Sequence, residues 1–343
     1  MNIFNYTQTF QLESGITLPG FNLAYTTLGE LNTEKNNVVW IFHALTANSN
    51  AAEWWTGLIG DGKLFNPEEH YIICVNMPGS CYGSINPLDN NLYHDFPLFT
   101  IKDMVATYQK LREHLGIDKI HVGIGGSMGG QQLLEWAVTE PDLFEHIIPI
   151  ATNALHSPWA IAFNASQRMS IETDTTWKQR NELAGINGMK AARSIALLSY
   201  RNYVTYAEDQ SEETTEVLNG FKSESYQRYQ GNKLAKRFNA FSYYFLSKSM
   251  DSHNIGRGRK SIIEALKSIK AKTIVIGISS DILFPPDEQK FIAAHIPDAT
   301  CNIIDSKYGH DGFLLEFSQI ENIITNFFKK YHVAVNTTAL SNK

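Results

Sequence analysis

Short, mostly apolar runs punctuate the chain at 37–42, 71–76, 119–124, 146–151, 273–278 and 301–304. Continuous rather than alternating hydrophobicity suits strands covered on both faces, so these runs predict a buried parallel sheet. Between them, 101–115 and 128–139 carry apolar residues three and four apart, the spacing of an amphipathic helix. Strand alternating with helix predicts an α/β class, a mostly parallel, doubly wound sheet with right-handed crossovers. The alternation fails over 155–259, which reads as helix and loop, with 189–206 and 237–250 as its clearest helices. Tyr200, Tyr203 and Tyr206 recur at helical spacing there, and the three rings are expected in the core of that region. A helical insertion between two strands predicts a lid over the C-terminal edge of the sheet, where open α/β sheets bind ligands. The expected organisation is a core over 1–154, a lid over 155–262, a second core part over 263–335 and a polar tail over 336–343, with 333–343 small, polar and frayed.

Composition narrows the class. A chain of 343 residues buries a sizeable core without a disulfide or metal staple. Lys and Arg number 29 against 35 Asp and Glu, a net charge of −6, so the basic footprint of a nucleic-acid binder is missing. Cys74, Cys81 and Cys301 are odd in number and unclustered, which favours reduced thiols over a disulfide framework. The first basic residue is Lys35 and polar residues interrupt every early apolar run, unlike a secretory signal. No run approaches the ~18 apolar residues of a membrane span. A cytoplasmic protein acting on small molecules, with neither nucleic acid nor membrane as partner, is the expectation.

The sharpest chemical signal is Gly125-Gly126-Ser127-Met128-Gly129-Gly130, between a strand and a helix. A serine in G-x-S-x-G at such a turn is a nucleophile elbow, which lifts its hydroxyl above the sheet at the positive end of the helix. The alternative, a phosphate loop, lacks the following Gly-Lys-Ser/Thr. A hydroxyl needs a base, and the base an orienter, in the chain order serine, acid, histidine. Asp281 follows the strand 273–278 directly, whereas its competitors Asp287 and Asp305 are less well placed. Among 11 histidines, His310 follows the last strand, lies beyond Asp281 and is flanked by Gly309 and Gly312. Two backbone N–H groups complete such a site as an oxyanion hole. Met128 supplies one, and Leu45, in the loop after the strand 37–42, is the choice for the other. Neither H-E-x-x-H nor paired cysteines at zinc spacing occur, so no metal is expected.

Further segments carry a resemblance. They are His43-Ala44-Leu45-Thr46, Trp55-Thr56-Gly57-Leu58, Cys81-Tyr82-Gly83-Ser84, Asp95-Phe96-Pro97, Gly125 to Gly130 with Leu134-Glu135-Trp136, Gln167-Arg168, Tyr229-Gln230-Gly231, Ile255 to Arg259, and Gly309-His310-Asp311-Gly312-Phe313. In this order the chain resembles the homoserine O-acyltransferase family of the α/β-hydrolase superfamily, in particular its homoserine O-acetyltransferases. The resemblance implies an α/β-hydrolase fold with an inserted helical lid and a triad of Ser127, Asp281 and His310. It implies transfer of an acetyl group from acetyl-CoA to the hydroxyl of L-homoserine in methionine biosynthesis, without a bound cofactor and in a homodimer. Arg168 matches the family arginine that binds the homoserine carboxylate, and Asp311 the acid that holds its amino group. The chain departs from the family pattern after Ser84, where the expected Gly/Pro/Ser insert is missing, in a shorter lid, and near 177–182. Succinyl transfer on the same scaffold and simple ester hydrolysis stay open as alternatives.

Overall fold

A computed structural model describes residues 1–331. The first five strands are β1 (Asn2–Tyr6), β2 (Phe10–Gln11), β3 (Thr17–Leu18), β4 (Phe21–Leu28) and β5 (Val38–Phe42). Helix α1 (Ala51–Trp54), β6 (Tyr71–Val75), α2 (Ile101–His114), β7 (Ile120–Gly126), α3 (Met128–Thr139) and β8 (Phe144–Ile150) follow. Six helices then intervene: α4 (Pro158–Glu172), α5 (Ile186–Tyr200), α6 (Tyr203–Gln210), α7 (Lys222–Ala235), α8 (Ala240–Asp251) and α9 (Ile262–Lys267). The chain returns through β9 (Lys272–Ile278), α10 (Pro286–His295), β10 (Ala299–Ile304) and α11 (Phe317–Lys330).

The eight-stranded sheet runs β1-β4-β6-β5-β7-β8-β9-β10. From β6 to β10 every neighbouring pair is parallel, and each of these strands coincides with a predicted apolar run. Antiparallel β1 and β4 extend the sheet at one edge, and sequence reading missed them. The chain leaves β5 for β6 on one side and takes up β7 on the other, so the loops after β5 and β7 diverge at a topological switch point. Apolar layers cover both faces of the sheet: Phe42, Tyr108 and Trp136 belong to one, Ile41, Ile124 and Phe327 to the other. Trp40 and Trp136 meet edge to face at 5.0 Å.

The lid helices differ from expectation in one useful way. The helix predicted over 189–206 is two, because Arg201 and Asn202 are extended and the Asn202 side chain caps α6 by accepting from the Val204 amide at 2.9 Å. The break turns Tyr203 outward to 85% exposure, so it is no part of a lid core. Tyr200, at the end of α5, instead packs against the His310 ring at 5.7 Å between centroids. The helix predicted over 237–250 begins at Ala240, capped by Asn239, and α7 precedes it. The predicted frayed end, 333–343, lies outside the described residues.

Candidate active site

Ser127 joins β7 to α3 with φ 57° and ψ −127°, a strained conformation for a residue bearing a Cβ. Such backbone costs on the order of 1–3 kcal/mol and persists only where neighbours hold it. Here the Ser127 amide donates to Ile150 O at 2.9 Å, and Thr152 Oγ1 donates to Ser127 O at 2.8 Å. The Ser127 side chain makes no capping bond to α3, so its hydroxyl is left for other work. Glycine is required beside it for space. A Cβ on Gly129 would stand 2.1 Å from Phe42 O, and one on Gly126 would stand 2.4 Å from the Phe313 ring.

That ring brings the third element in. Phe313 shares a 3-10 turn, Gly309–Leu314, with His310, and Trp55 Nε1 donates to Phe313 O at 3.1 Å. His310 Nδ1 lies 2.7 Å from Asp281 Oδ2, and both side chains are buried. Asp281 follows β9, and its other oxygen accepts from the Leu283 and Phe284 amides at 2.8 and 2.9 Å. Three fixed hydrogen bonds of this kind leave the carboxylate no rotational freedom, and its hold on Nδ1 leaves Nε2 free. Ser127, Asp281 and His310 thus stand at the ends of β7, β9 and β10, on one edge of one sheet. Serine and histidine are not hydrogen-bonded to each other, a contact that commonly tightens only with substrate present.

Leu45 and Met128 are both buried, and among the described residues neither backbone amide donates to another protein group. Buried amides are almost always paired, so the unpaired amide of Met128, next to Ser127, and that of Leu45, in the loop after β5, are the candidate donors of an oxyanion hole.

The family model of the alpha/beta hydrolase fold matches residues 37–317. A protein of Cyclobacterium marinum named homoserine O-acetyltransferase is 49% identical over 332 residues, covering 95% of this chain and 94% of its own. The chain belongs to the homoserine O-acetyltransferase family. The solved homoserine O-acetyltransferase of Staphylococcus aureus superposes with a TM-score of 0.82 at 28% identity, covering 100% of this chain and 99% of its own. The acetyl esterase MekB shares the fold, with a TM-score of 0.82 at 24% identity and 96% coverage of both chains.

Arg168, which the resemblance matches to the homoserine carboxylate, carries an ion pair within the protein. Its guanidinium is committed to Asp251 Oδ2 at 2.6 Å and Ser247 Oγ at 3.1 Å. It thereby closes a polar network of Asp251, Asn164, His156 and Gln131 that ties α4 and α8 to α3. Burial pushes His156 down to about 3, so the ring in that network is neutral. The arginines near Asp311 are Arg193, in the middle of α5, and Arg201, just after it. Arg201 Nε lies 3.1 Å from Asp311 Oδ2, and the charges of Arg201 and Arg193 both oppose the rise that burial imposes on the Asp311 carboxyl. Arg193 is half-buried, has no ion pair among the described residues, and stands over the Tyr200 ring at 5.4 Å. Sequence reading missed it, although its place seven residues before Tyr200 puts both on one helix face. Among the described residues one group could share a metal, His121, Glu145 and His146, but it lies toward the opposite ends of β7 and β8 with the Lys272 charge close by.

Proposed function

We propose that this enzyme moves an acetyl group from acetyl-CoA to the side-chain hydroxyl of L-homoserine through an acyl-serine, as a step of methionine biosynthesis. The end-to-end identity to the Cyclobacterium marinum homoserine O-acetyltransferase carries the reading. The Asp281–His310 pair supplies its chemistry.

In the first half-reaction His310 Nε2 takes the Ser127 proton as Oγ attacks the thioester carbonyl. The Leu45 and Met128 amides hold the resulting oxyanion. The tetrahedral intermediate collapses by breaking the C–S bond, and the sulfur leaves with the proton from His310. In the second half-reaction His310 deprotonates the homoserine hydroxyl, which attacks the acyl-serine. The proton returns to Ser127 Oγ as O-acetylhomoserine departs. Asp281 holds the imidazole in one tautomer and stabilises the imidazolium throughout. The acceptor is a zwitterion, and it needs one anion and one cation. Asp311 takes the ammonium, with Arg201 as its resting partner. Arg193 rather than Arg168 grips the carboxylate, since a guanidinium without an ion pair is the one free to bind a second carboxylate. Cytoplasmic residence suits three free cysteines. Pairing of two copies through the lid suits the exposed Met169, Leu198 and Tyr203.

Thiol release from acetyl-CoA and succinyl-CoA, each with and without homoserine, tests the reaction. Release from acetyl-CoA alone that depends on homoserine is expected. Release that ignores homoserine returns the reading to an esterase. Intact-mass detection of a 42-Da adduct (order-of-magnitude, ~40 Da for an acetyl group) that survives Ser127→Ala would sink the acyl-serine.

A further inference from the structure

His43 is the first residue after β5, fully buried, and has no part in the proton transfers above. Both its ring nitrogens are spoken for. The Met77 backbone N–H, which can only donate, points at Nε2 from 3.2 Å. Nε2 must therefore be bare, and the single proton of the neutral ring sits on Nδ1. Burial keeps the ring neutral, pushing its pKa down to about 4. Nδ1 lies 2.9 Å from Ala44 O, so the N–H donates to that carbonyl.

The Ala44 carbonyl and the Leu45 N–H belong to one peptide unit. In a trans peptide they point in opposite directions, and the described chain contains no cis bond. Fixing the carbonyl therefore fixes where the Leu45 N–H points. A flipped unit would present an oxygen to the oxyanion instead of a hydrogen. One further bond holds the same carbonyl, from the Ala47 amide at 3.0 Å, which closes the turn but does not decide how that turn sits against β5. Gln132 supplies the second coordinate. Its Nε2 donates to His43 O at 3.3 Å and to Met128 O at 3.1 Å, while Oε1 accepts from Tyr108 Oη at 2.8 Å. The backbone segments carrying the two unpaired amides are thereby stapled to each other.

We infer that His43 is a positioning residue of the oxyanion hole, aiming the Leu45 amide through the Ala44 carbonyl in a tautomer that the Met77 amide selects. The inference rests on the assignment of Leu45 and Met128 as oxyanion donors. It makes this imidazole a fixed part of the transition-state machinery that never exchanges a proton during turnover.

Two near-isosteric variants separate the two ring nitrogens. In His43→Asn the amide nitrogen stands where Nδ1 does and can still donate to Ala44 O. In His43→Gln the amide oxygen reaches the place of Nε2, satisfies Met77 and leaves the Ala44 carbonyl without its imidazole donor, held by the Ala47 amide alone. The rate of enzyme acetylation by acetyl-CoA is read in a rapid-mixing burst, together with donor KM and the thermal midpoint. His43→Gln should lose roughly 10²-fold in the burst rate, the usual cost of one oxyanion donor. Donor KM should stay within about threefold, and His43→Asn should keep its burst rate within about tenfold of the parent. Equal losses in both variants, or none in either, overturn the inference. Nitrogen NMR of the unmutated, histidine-labelled protein at pH 7.5 is a second reading that needs no variant: a proton on Nε2 of His43 overturns it as well. Ser127→Ala run alongside keeps the two levels apart, because a burst surviving there refutes the proposed nucleophile rather than the role of His43.

Discussion

Replacing Gly129 with alanine sets two effects of opposite sign against each other. Gly129 is the second residue of α3, and alanine is the better helix former by about 1 kcal/mol. The new Cβ, however, would stand 2.1 Å from Phe42 O and 2.8 Å from Phe42 C, where real Cβ contacts do not fall under 3.0 Å. The obstacle is backbone in the middle of a sheet, so no side chain can rotate away. Strand β5 and α3 must part by nearly 1 Å (about 0.9 Å). Overpacking of this kind costs typically 1–3 kcal/mol, and an immovable partner puts it near the upper end. The net is a loss of about 2 kcal/mol, or roughly 3 °C in midpoint for a chain of this length. Function should suffer more than stability, because the shift separates the proposed oxyanion donors, the Leu45 and Met128 amides, on either side of the contact. A misplacement of about 1 Å is worth on the order of 10² in rate. Differential scanning fluorimetry and the acetylation burst measure both. A raised midpoint with an unchanged burst would mean that helix propensity wins and that α3 is not pressed onto β5.

Other perturbations follow from the same geometry. Asp281→Asn keeps the volume but fixes the wrong imidazole tautomer, so kcat should fall by about 10⁴; a loss under tenfold would remove Asp281 from the triad. Arg193→Met should raise the KM for homoserine by about 10- to 100-fold, the worth of a charge-assisted bond, and leave the acetylation burst intact. Arg168→Met should act through stability, stranding Asp251 at a cost on the order of 3 kcal/mol in urea unfolding, with homoserine KM little changed. Glu288, beside Asp281, is pushed up by burial to about 7 from an ordinary 4.5. The folded protein holds that proton more tightly than the unfolded chain, so this group favours folding at low pH and its contribution is lost as pH rises through 7. Glu288→Gln should therefore gain on the parent protein as pH rises from 5.5 to 8, by about 1 kcal/mol after allowance for partial exposure. A pH-independent difference would place the carboxylate in water.

The sheet was readable because five of its six parallel strands are buried on both faces and so print continuous apolar runs, while the edge strand β10 shows only a short one. Strands β1 and β4 escaped: Asn2–Tyr6 is an edge strand with one buried residue, and its polar positions break any run. Helix α7 escaped for a similar reason, since only Gly231 and Leu234 are buried along it. The elbow, the acid and the histidine were legible as a motif, a chain order and positions after strands. Arg168 and Arg193 were not separable in the same way, because nothing local says which lid arginine meets a carboxylate of its own. The partner of Arg168 is Asp251, 83 residues away, and only the packing of α4 on α8 brings them together. His43 was read only as a neighbour of a backbone donor; its side chain acquires meaning when Met77 arrives from another strand's end.

The network from Arg168 to Gln131 makes the lid unequal in its two halves. Helices α4 and α8 cannot lift away from α3 without exposing an uncompensated Asp251 or Arg168 to a broken, half-dry interface. The α6–α7 half adds exposed ion pairs, such as Lys307–Glu208, to the packing of Gly231 and Leu234, and a cavity of about 540 Å³ opens between α5 and α7. Substitutions on that side meet exposed, weakly coupled groups, whereas those on the α4 side break a partly buried ion-pair network. Sequence change can therefore accumulate on the α6–α7 side at little cost in stability, while the Arg168–Asp251 network keeps α4 and α8 fastened to the core.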